Sequence, residues 1–232
     1  MIGVKSLALT VNAKGESRRL TFEAGRLMCC GWAGRNRDAV EAHIEELAQL
    51  GVPRPTRVPT FMNFSPYLLT TDREMTVVSD KSSGEVECVL LCRGDDIWVT
   101  VGSDQTDRDV ETKSIPASKQ MCGKFIAASC WPYREVADHW DELVLRCWTS
   151  ENGTRSLYQE GALGGLLSPR ELLCALPDVT WPPRLGVVLF SGTIATRSGL
   201  VFGEAYDLEL DDPVLNRKIA ASYRVNVLSQ YL

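Results

Sequence analysis

The 232-residue chain predicts a β-rich α+β fold. Three observations lead there. Short runs of aliphatic, β-branched and aromatic residues recur between turn residues over most of the length, one segment in the N-terminal half carries the clearest helical period there, and one later segment carries a helix-start signature. At roughly 100–200 residues per domain, this length allows one large domain or a small module plus a main one. No internal repeat or low-complexity tract interrupts it.

The elements follow in order. Residues 5–11 and 18–22 read as short strands around Asn12-Ala13-Lys14-Gly15, a turn that suits a hairpin. After Gly31-Trp32-Ala33-Gly34, Val40, Ile44 and Leu47 fall at helical spacing between Asp38 and Leu50. Asp38 and Glu41 offer an Asp version of the capping box there, and Gly51 a stop. Pro53, Pro55, Pro59 and Pro66 then predict an extended connector to about Thr71, dividing the chain into 1–71 and 72–232. Beyond it, residues 75–79, 85–92 and 97–101 read as strands, the last two joined at Gly94-Asp95-Asp96. Val136–Trp148 begins polar and ends apolar, passing from a helical turn to a strand with no boundary fixed by periodicity. Ser168-Pro169-Arg170-Glu171 combines an N-cap, Pro at the first helical position and Glu three after the cap. Residues 186–190 and 206–210 read as strands again.

Charge and composition exclude several functions. With 25 basic and 30 acidic residues, a net charge of −5 and no basic run, a polyanionic partner such as nucleic acid or an anionic membrane is disfavoured. No stretch approaches the roughly 18 apolar residues of a membrane helix and the N-terminus has no signal-peptide pattern, so the expectation is a cytoplasmic protein. The eight cysteines are scattered without a C-x-x-C pair, which predicts reduced thiols and no zinc. Cys88 and Cys92 read as small core hydrophobes. Phosphate-loop, dinucleotide and serine-hydrolase motifs are absent, and the dispersed tryptophans read as packing.

The informative chemistry is acidic. In Gly84-Glu85-Val86-Glu87-Cys88, strand alternation puts Glu85 and Glu87 on one face, their Cα atoms roughly 6.5–7 Å apart. On this pair alone a solvated strand is the ordinary reading, and a shared cation the functional one. The next strand runs into Asp104-Gln105-Thr106-Asp107-Arg108-Asp109, so two neighbouring strands gather hard oxygen donors suited to Mg²⁺ or Mn²⁺. The acid count by itself does not choose which three bind. On the helix, His43 stands three residues before Glu46, a spacing that lets a carboxylate hold an imidazole as general base; a surface pair is the bland alternative. His139 reads as packing.

Taken in order, these segments resemble the fumarylacetoacetate hydrolase superfamily from about Gly31 to Val225. His43-Ile44-Glu45-Glu46 is similar to its H-x-x-E dyad and Glu85-Val86-Glu87 to its E-x-E strand. Asp104 to Asp109 resembles its D-x-[ST]-x-R-D segment, and Lys119 the lysine that follows. Tyr158-Gln159-Glu160-Gly161 and Gly192-Thr193 are similar to its R-Q-x-G turn and late G-T strand end. The resemblance implies a mixed β-roll over 72–232, with the N-terminal β element and lid helix in 1–71, usually as a homodimer. It further implies Mg²⁺ or Mn²⁺ on Glu85, Glu87 and Asp104; His43 with Glu46 activating water; Lys119 near the oxyanion; and Arg108, Glu111, Gln159 and Thr193 facing substrate. The implied reaction is metal-dependent C–C hydrolysis beside a 2-oxo or 1,3-dicarbonyl group of a small acylpyruvate-like acid. Decarboxylation, isomerisation or dehydration of a 2-oxo acid is the alternative, and a non-catalytic binding protein a further one. Departures mark a divergent subfamily: Asn63 replaces a lysine common in acylpyruvate-cleaving members, Glu111 a frequent glutamine, and Ile194-Ala195-Thr196 the usual continuation after Gly-Thr.

Overall fold

The first hairpin forms as the Lys14-Gly15 turn predicts: β1 (Lys5–Ala13) pairs antiparallel with β2 (Glu16–Gly31), and Gly15 takes the positive φ of 82° that the tight loop needs. The computed structural model describes residues 3–49, 54–177 and 183–228. The further strands are β3 (Thr60–Phe64), β4 (Leu69–Thr70), β5 (Glu74–Val77), β6 (Ser82–Ser83), β7 (Val86–Arg93), β8 (Asp96–Asp104), β9 (Thr106–Asp107), β10 (Lys124–Ile126) and β11 (Ser129–Pro132). After them come β12 (Val144–Glu151), β13 (Thr154–Ala162), β14 (Gly186–Thr193), β15 (Ala205–Asp212) and β16 (Arg217–Val227). The α-helices are α1 (Arg37–Gln49), α2 (Arg108–Glu111), α3 (Ile115–Gln120) and α4 (Pro169–Ala175).

The larger sheet closes on itself. Its path β11-β1-β2-β14-β7-β8 returns to β11 through a second pairing, Trp131 opposite Val99. Closure leaves an inward face that side chains must fill. Leu7, Leu9, Val11, Phe22, Leu27, Val89, Leu91, Trp98, Val188 and Phe190 do so as one buried cluster. The outward side chains of the same strands, among them Cys88, Leu90, Cys92, Val99 and Leu189, pack with Leu145, Cys147, Tyr206, Leu208 and Tyr223 of a second sheet, ordered β13-β12-β15-β16-β5. Cys88 and Cys92 are thus core residues, as alternation predicts, and the cysteines are free thiols. The result is an α+β roll. Residues 5–31 and the strands after residue 72 share its ladders, since β2 pairs with β14 and β1 with β11.

Several local expectations need correction. Strand β2 continues past 22 to Gly31 because Gly25 is an extra residue against β14: Gly186 faces Ala24, but Val187 faces Arg26. This bulge moves Leu27 and Cys29 onto the inward face with Phe22, breaking the simple alternation. The cap of α1 is Asn36, whose Oδ1 accepts from Ala39 N at 3.1 Å, rather than Asp38, which lies in the first turn. The expected stop at Leu50 and Gly51, the Leu47 side chain and Pro53 lie outside the described residues. The proline-rich connector carries structure of its own: Pro59 and Pro66 flank β3, which adds to β2, and β4 adds to β10. The open boundary in Val136–Trp148 resolves into a 3₁₀ segment, Ala137–Glu142, before β12. Ser168 caps α4 in a full capping box with Glu171. Among the described residues no helix is long and apolar enough to cross a membrane.

Candidate metal centre

The β7–β8 register builds the site. Val86 faces Ser103 and Glu87 faces Gly102, so the residues just beyond, Glu85 and Asp104, come side by side, with Asp104 N donating to Glu85 O at 3.0 Å. Glu87 shares its strand face with Val89 and Leu91 and therefore points into the roll, only 2% exposed. Carboxylate oxygens of Glu85, Glu87 and Asp104 lie within 4.8 Å of one another. The other acids of this stretch are placed elsewhere: Asp107 caps α2 by accepting from Val110 N at 3.0 Å, and Asp109 is exposed.

Cations from the following helices neutralise the acids. Lys119 on α3 donates from Nζ to Glu85 Oε2 at 2.9 Å, Asp104 Oδ2 at 2.6 Å and Thr106 Oγ1 at 3.2 Å. Arg108 on α2 donates to Ser83 Oγ at 2.7 Å, Glu85 Oε1 at 3.0 Å and Glu111 Oε2 at 2.8 Å. Burial alone would raise the Glu85 carboxyl, but Lys119 and Arg108 outweigh it and hold the group low. Burial likewise opposes ionisation of Asp104, yet the two lysines beside it, Lys119 and Lys124, bring it down to about 2. Glu87 has no such partner. Its Oε2 accepts from Gly192 N at 2.7 Å, and burial together with the Asp104 charge pushes it well above the ordinary carboxylate range.

The donor set fits a hard divalent cation. Three carboxylates converge, and Asp104 Oδ1 is buried without accepting a hydrogen bond. The reason lies in Lys124, whose Nζ is 2.9 Å from that oxygen but donates to the carbonyls of Gln105, Lys119 and Cys122 at 2.8, 2.6 and 3.1 Å. An ammonium has three protons, and those carbonyls take them, so the oxygen keeps its lone pairs for another electrophile. All-oxygen donors suit Mg²⁺ or Mn²⁺.

The remaining residues singled out in the sequence divide into two groups. Arg108 and Glu111 border the acids and bind each other, with Glu111 more open to solvent than Arg108. Gln159 is buried, with its amide spent inside the protein. Its Oε1 accepts from Val86 N at 3.0 Å, while Nε2 donates to Thr193 Oγ1 at 2.9 Å and Ile194 O at 2.6 Å. Thr193 Oγ1 in turn donates to Val86 O at 2.9 Å, so the pair clips the strand between Glu85 and Glu87. His43 and Glu46 do meet, Nδ1 to Oε2 at 3.4 Å, but both are largely exposed and neither is hydrogen-bonded to the acids. His43 lies against the Trp32 ring, 5.6 Å between centroids. His139, read as packing, pairs with buried Asp212 at 2.9 Å. A cleft of about 930 Å³ beside the outer second sheet is a separate feature, in which Arg146 and Arg155 are already paired with acids.

Sequence reasoning missed Lys124, and it singled out Gly192 only as part of a Gly-Thr strand end, not as a donor to Glu87. A lysine opening the buried run Phe125-Ile126 was a visible signal for the first. The donor role of the second is not marked locally: its φ of 97° accompanies a register shift in β14, and its N–H is turned onto Glu87.

This architecture is that of the fumarylacetoacetate hydrolase fold. A 2-keto-3-deoxy-D-arabinonate dehydratase in its apo form superposes with a TM-score of 0.60 at 15% identity, over 91% of this chain and 76% of that one. A fumarylacetoacetate hydrolase family protein from Yersinia pestis CO92 gives 0.59 at 15% identity, over 89% and 95%. A 5-carboxymethyl-2-hydroxymuconate delta-isomerase from Mycobacterium smegmatis gives 0.58 at 15% identity, over 91% and 80%. By sequence, the chain belongs to the family described as "Protein of unknown function (DUF2848)", whose model matches residues 30–223. No curated protein matches it.

Proposed function

We propose that the protein is a Mg²⁺- or Mn²⁺-dependent hydrolase that cleaves a C–C bond beside a 2-oxo or 1,3-dicarbonyl group of a small acid. The observation that carries this reading is the convergence of Glu85, Glu87 and Asp104 within 4.8 Å with Lys119 hydrogen-bonded to two of them. These three carboxylates would hold the metal, which when bound supplies Lewis-acid polarisation of the 2-oxo acid. Lys119 donates to the oxygen on which negative charge develops as the bond breaks. His43, oriented by Glu46, is the general base that takes a proton from water. Both residues of the dyad are exposed and neither is hydrogen-bonded to the acids, so α1 acts as a lid that closes it over the site once substrate is bound. Arg108 and Glu111 contact the substrate at the rim, whereas Gln159 and Thr193 serve it by fixing the strand beneath. The working unit is a cytoplasmic homodimer.

Dehydration or isomerisation of a 2-oxo acid is a second reading, favoured by the dehydratase and the isomerase that share the fold. Purified protein with Mg²⁺ or Mn²⁺, and a chelated control, is incubated with acylpyruvates, oxaloacetate and 2-oxo sugar acids, and products are identified by NMR. Pyruvate plus a second acid is the expected result. Loss of water or retained mass would replace the hydrolase with the second reading, and release of carbon dioxide would replace it with decarboxylation. Turnover and metal affinity unchanged in Glu85→Ala would sink both.

A further inference from the structure

We infer that Trp32 is a positioning residue for His43, its indole held against the imidazole by a strained backbone corner, an inference that rests on the reading of His43 as the general base. Trp32 has a φ of 59°, in the left-handed region that a bulky side chain ordinarily avoids and glycine adopts freely. Glycines stand at 31 and 34, on either side of this corner, yet the corner itself is a tryptophan. Its surroundings impose the conformation. On one side, β2 is fixed by Cys29 opposite Phe190 of β14 and Gly31 opposite Thr60 of β3. On the other, Ala33 O accepts from Leu167 N at 2.8 Å, Gly34 bridges to Leu166, and Arg35 N donates to Gly165 O at 2.9 Å. The Arg35 guanidinium also binds both oxygens of Asp141, at 2.6 and 2.8 Å. With both flanks tied down, the residue between them absorbs the change of direction, and strain of this kind persists where the surrounding structure over-determines it.

The side chain at this corner meets the dyad. The indole and the His43 ring are 5.6 Å apart between centroids and tilted by 60°, within the roughly 4.5–7 Å at which aromatic rings pair. Glu46 by itself restrains the imidazole weakly. Its Oε2 is 3.4 Å from Nδ1, longer than an ordinary N–H···O bond, and the two side chains are 58% and 72% exposed, so water competes for both. The indole is the second restraint, and it comes from a residue whose own backbone is fixed. With Nδ1 turned to Glu46 and the ring against Trp32, Nε2 is the nitrogen left to take a proton from water.

The chain has two histidines, His43 and His139, so imidazole proton resonances in ¹H–¹³C NMR report on the contact directly. Spectra are recorded for the wild type, Trp32→Gly, Trp32→Ala and Trp32→Phe, with His43→Gln to assign the signals. In the wild type the indole ring current should move the His43 signals away from free-histidine positions. Trp32→Gly and Trp32→Ala should return them there and leave those of His139 in place. Trp32→Gly should melt above Trp32→Ala, because both delete the ring and only glycine relieves the corner. On whichever 2-oxo acid turns over, Trp32→Gly should lower kcat by about tenfold at unchanged KM, with Trp32→Phe within about threefold of wild type. Wild-type His43 signals at free-histidine positions overturn the inference, and this spectrum decides even where a Trp32 variant does not fold. Trp32→Ala melting at or above Trp32→Gly, or a raised KM with kcat unaltered in Trp32→Gly, also overturns it; in each of these cases the hydrolase reading stands. Turnover unaltered in His43→Gln overturns both the inference and the reading of His43 as the base.

Discussion

Gln159 offers the sharpest test of how the acid pair is held. Its side chain makes three hydrogen bonds in a buried setting, to Val86 N, Thr193 Oγ1 and Ile194 O. Gln159→Ala removes all of them and leaves a buried N–H and a carbonyl without that partner. Each net bond contributes about 0.5–1.5 kcal/mol and each abandoned buried group costs about 1–3 kcal/mol, so a loss of about 3–4 kcal/mol is expected. For a chain of this size, where 1 kcal/mol moves Tm by roughly 2–4 °C, the melting temperature should fall by about 6–16 °C. Because the bond to Val86 N lies between Glu85 and Glu87, Mn²⁺ affinity should fall as well. Thermal unfolding by circular dichroism and Mn²⁺ titration on the folded variant read the two effects. A Tm within about 2 °C of wild type, or unaltered Mn²⁺ affinity, would refute the claim that this clip fixes the carboxylates.

Gly192→Ala should lower stability by about 1–3 kcal/mol and weaken Mn²⁺ binding, since its φ is 97° and an added Cβ would sit 2.7 Å from Ala33 Cβ; urea unfolding and Mn²⁺ titration check it. Glu135 is held below its ordinary value: burial opposes ionisation, but the Lys14 N–H and the Arg217 guanidinium outweigh it. Its contribution is therefore present above the usual carboxylate range and is lost as pH falls through the lowered folded value, so Glu135→Gln should flatten the acid limb of a stability–pH curve. Of the eight cysteines only Cys174 is exposed, so an aromatic disulfide reagent should titrate one thiol per native chain and eight after denaturation.

Much of this was legible along the chain. The hairpin turn, the helical period of α1, the Ser168 capping box and the Cys88–Leu90–Cys92 stripe are local patterns, fixed by dihedral preference and side-chain alternation within a few residues. So was the Glu85–Glu87 pair, because the period of a strand is two. Other features lay beyond that reach. The Gly25 bulge breaks alternation for a reason found only in the neighbouring β14, and the strand within the proline-rich segment exists because β2 has an open edge there. Asp104 was named through the resemblance, but the physical reason that it and not Asp107 or Asp109 joins the pair lies in the β7–β8 register and the cap of α2.

Sequence alone determined which side chains are available: three acids, a lysine, and a His–Glu pair at helical spacing. Only the tertiary structure decided how their charges are arranged. It buried Glu87 inside the roll, placed Lys119 and Lys124 on opposite oxygens of Asp104, tied Arg108 to Glu85, and left the His43 side chain largely exposed. The physical reason is range. Propensity and periodicity act over a turn or a strand, whereas the field at a buried carboxylate is summed over groups that the chain brings together from helices and strands distant in sequence.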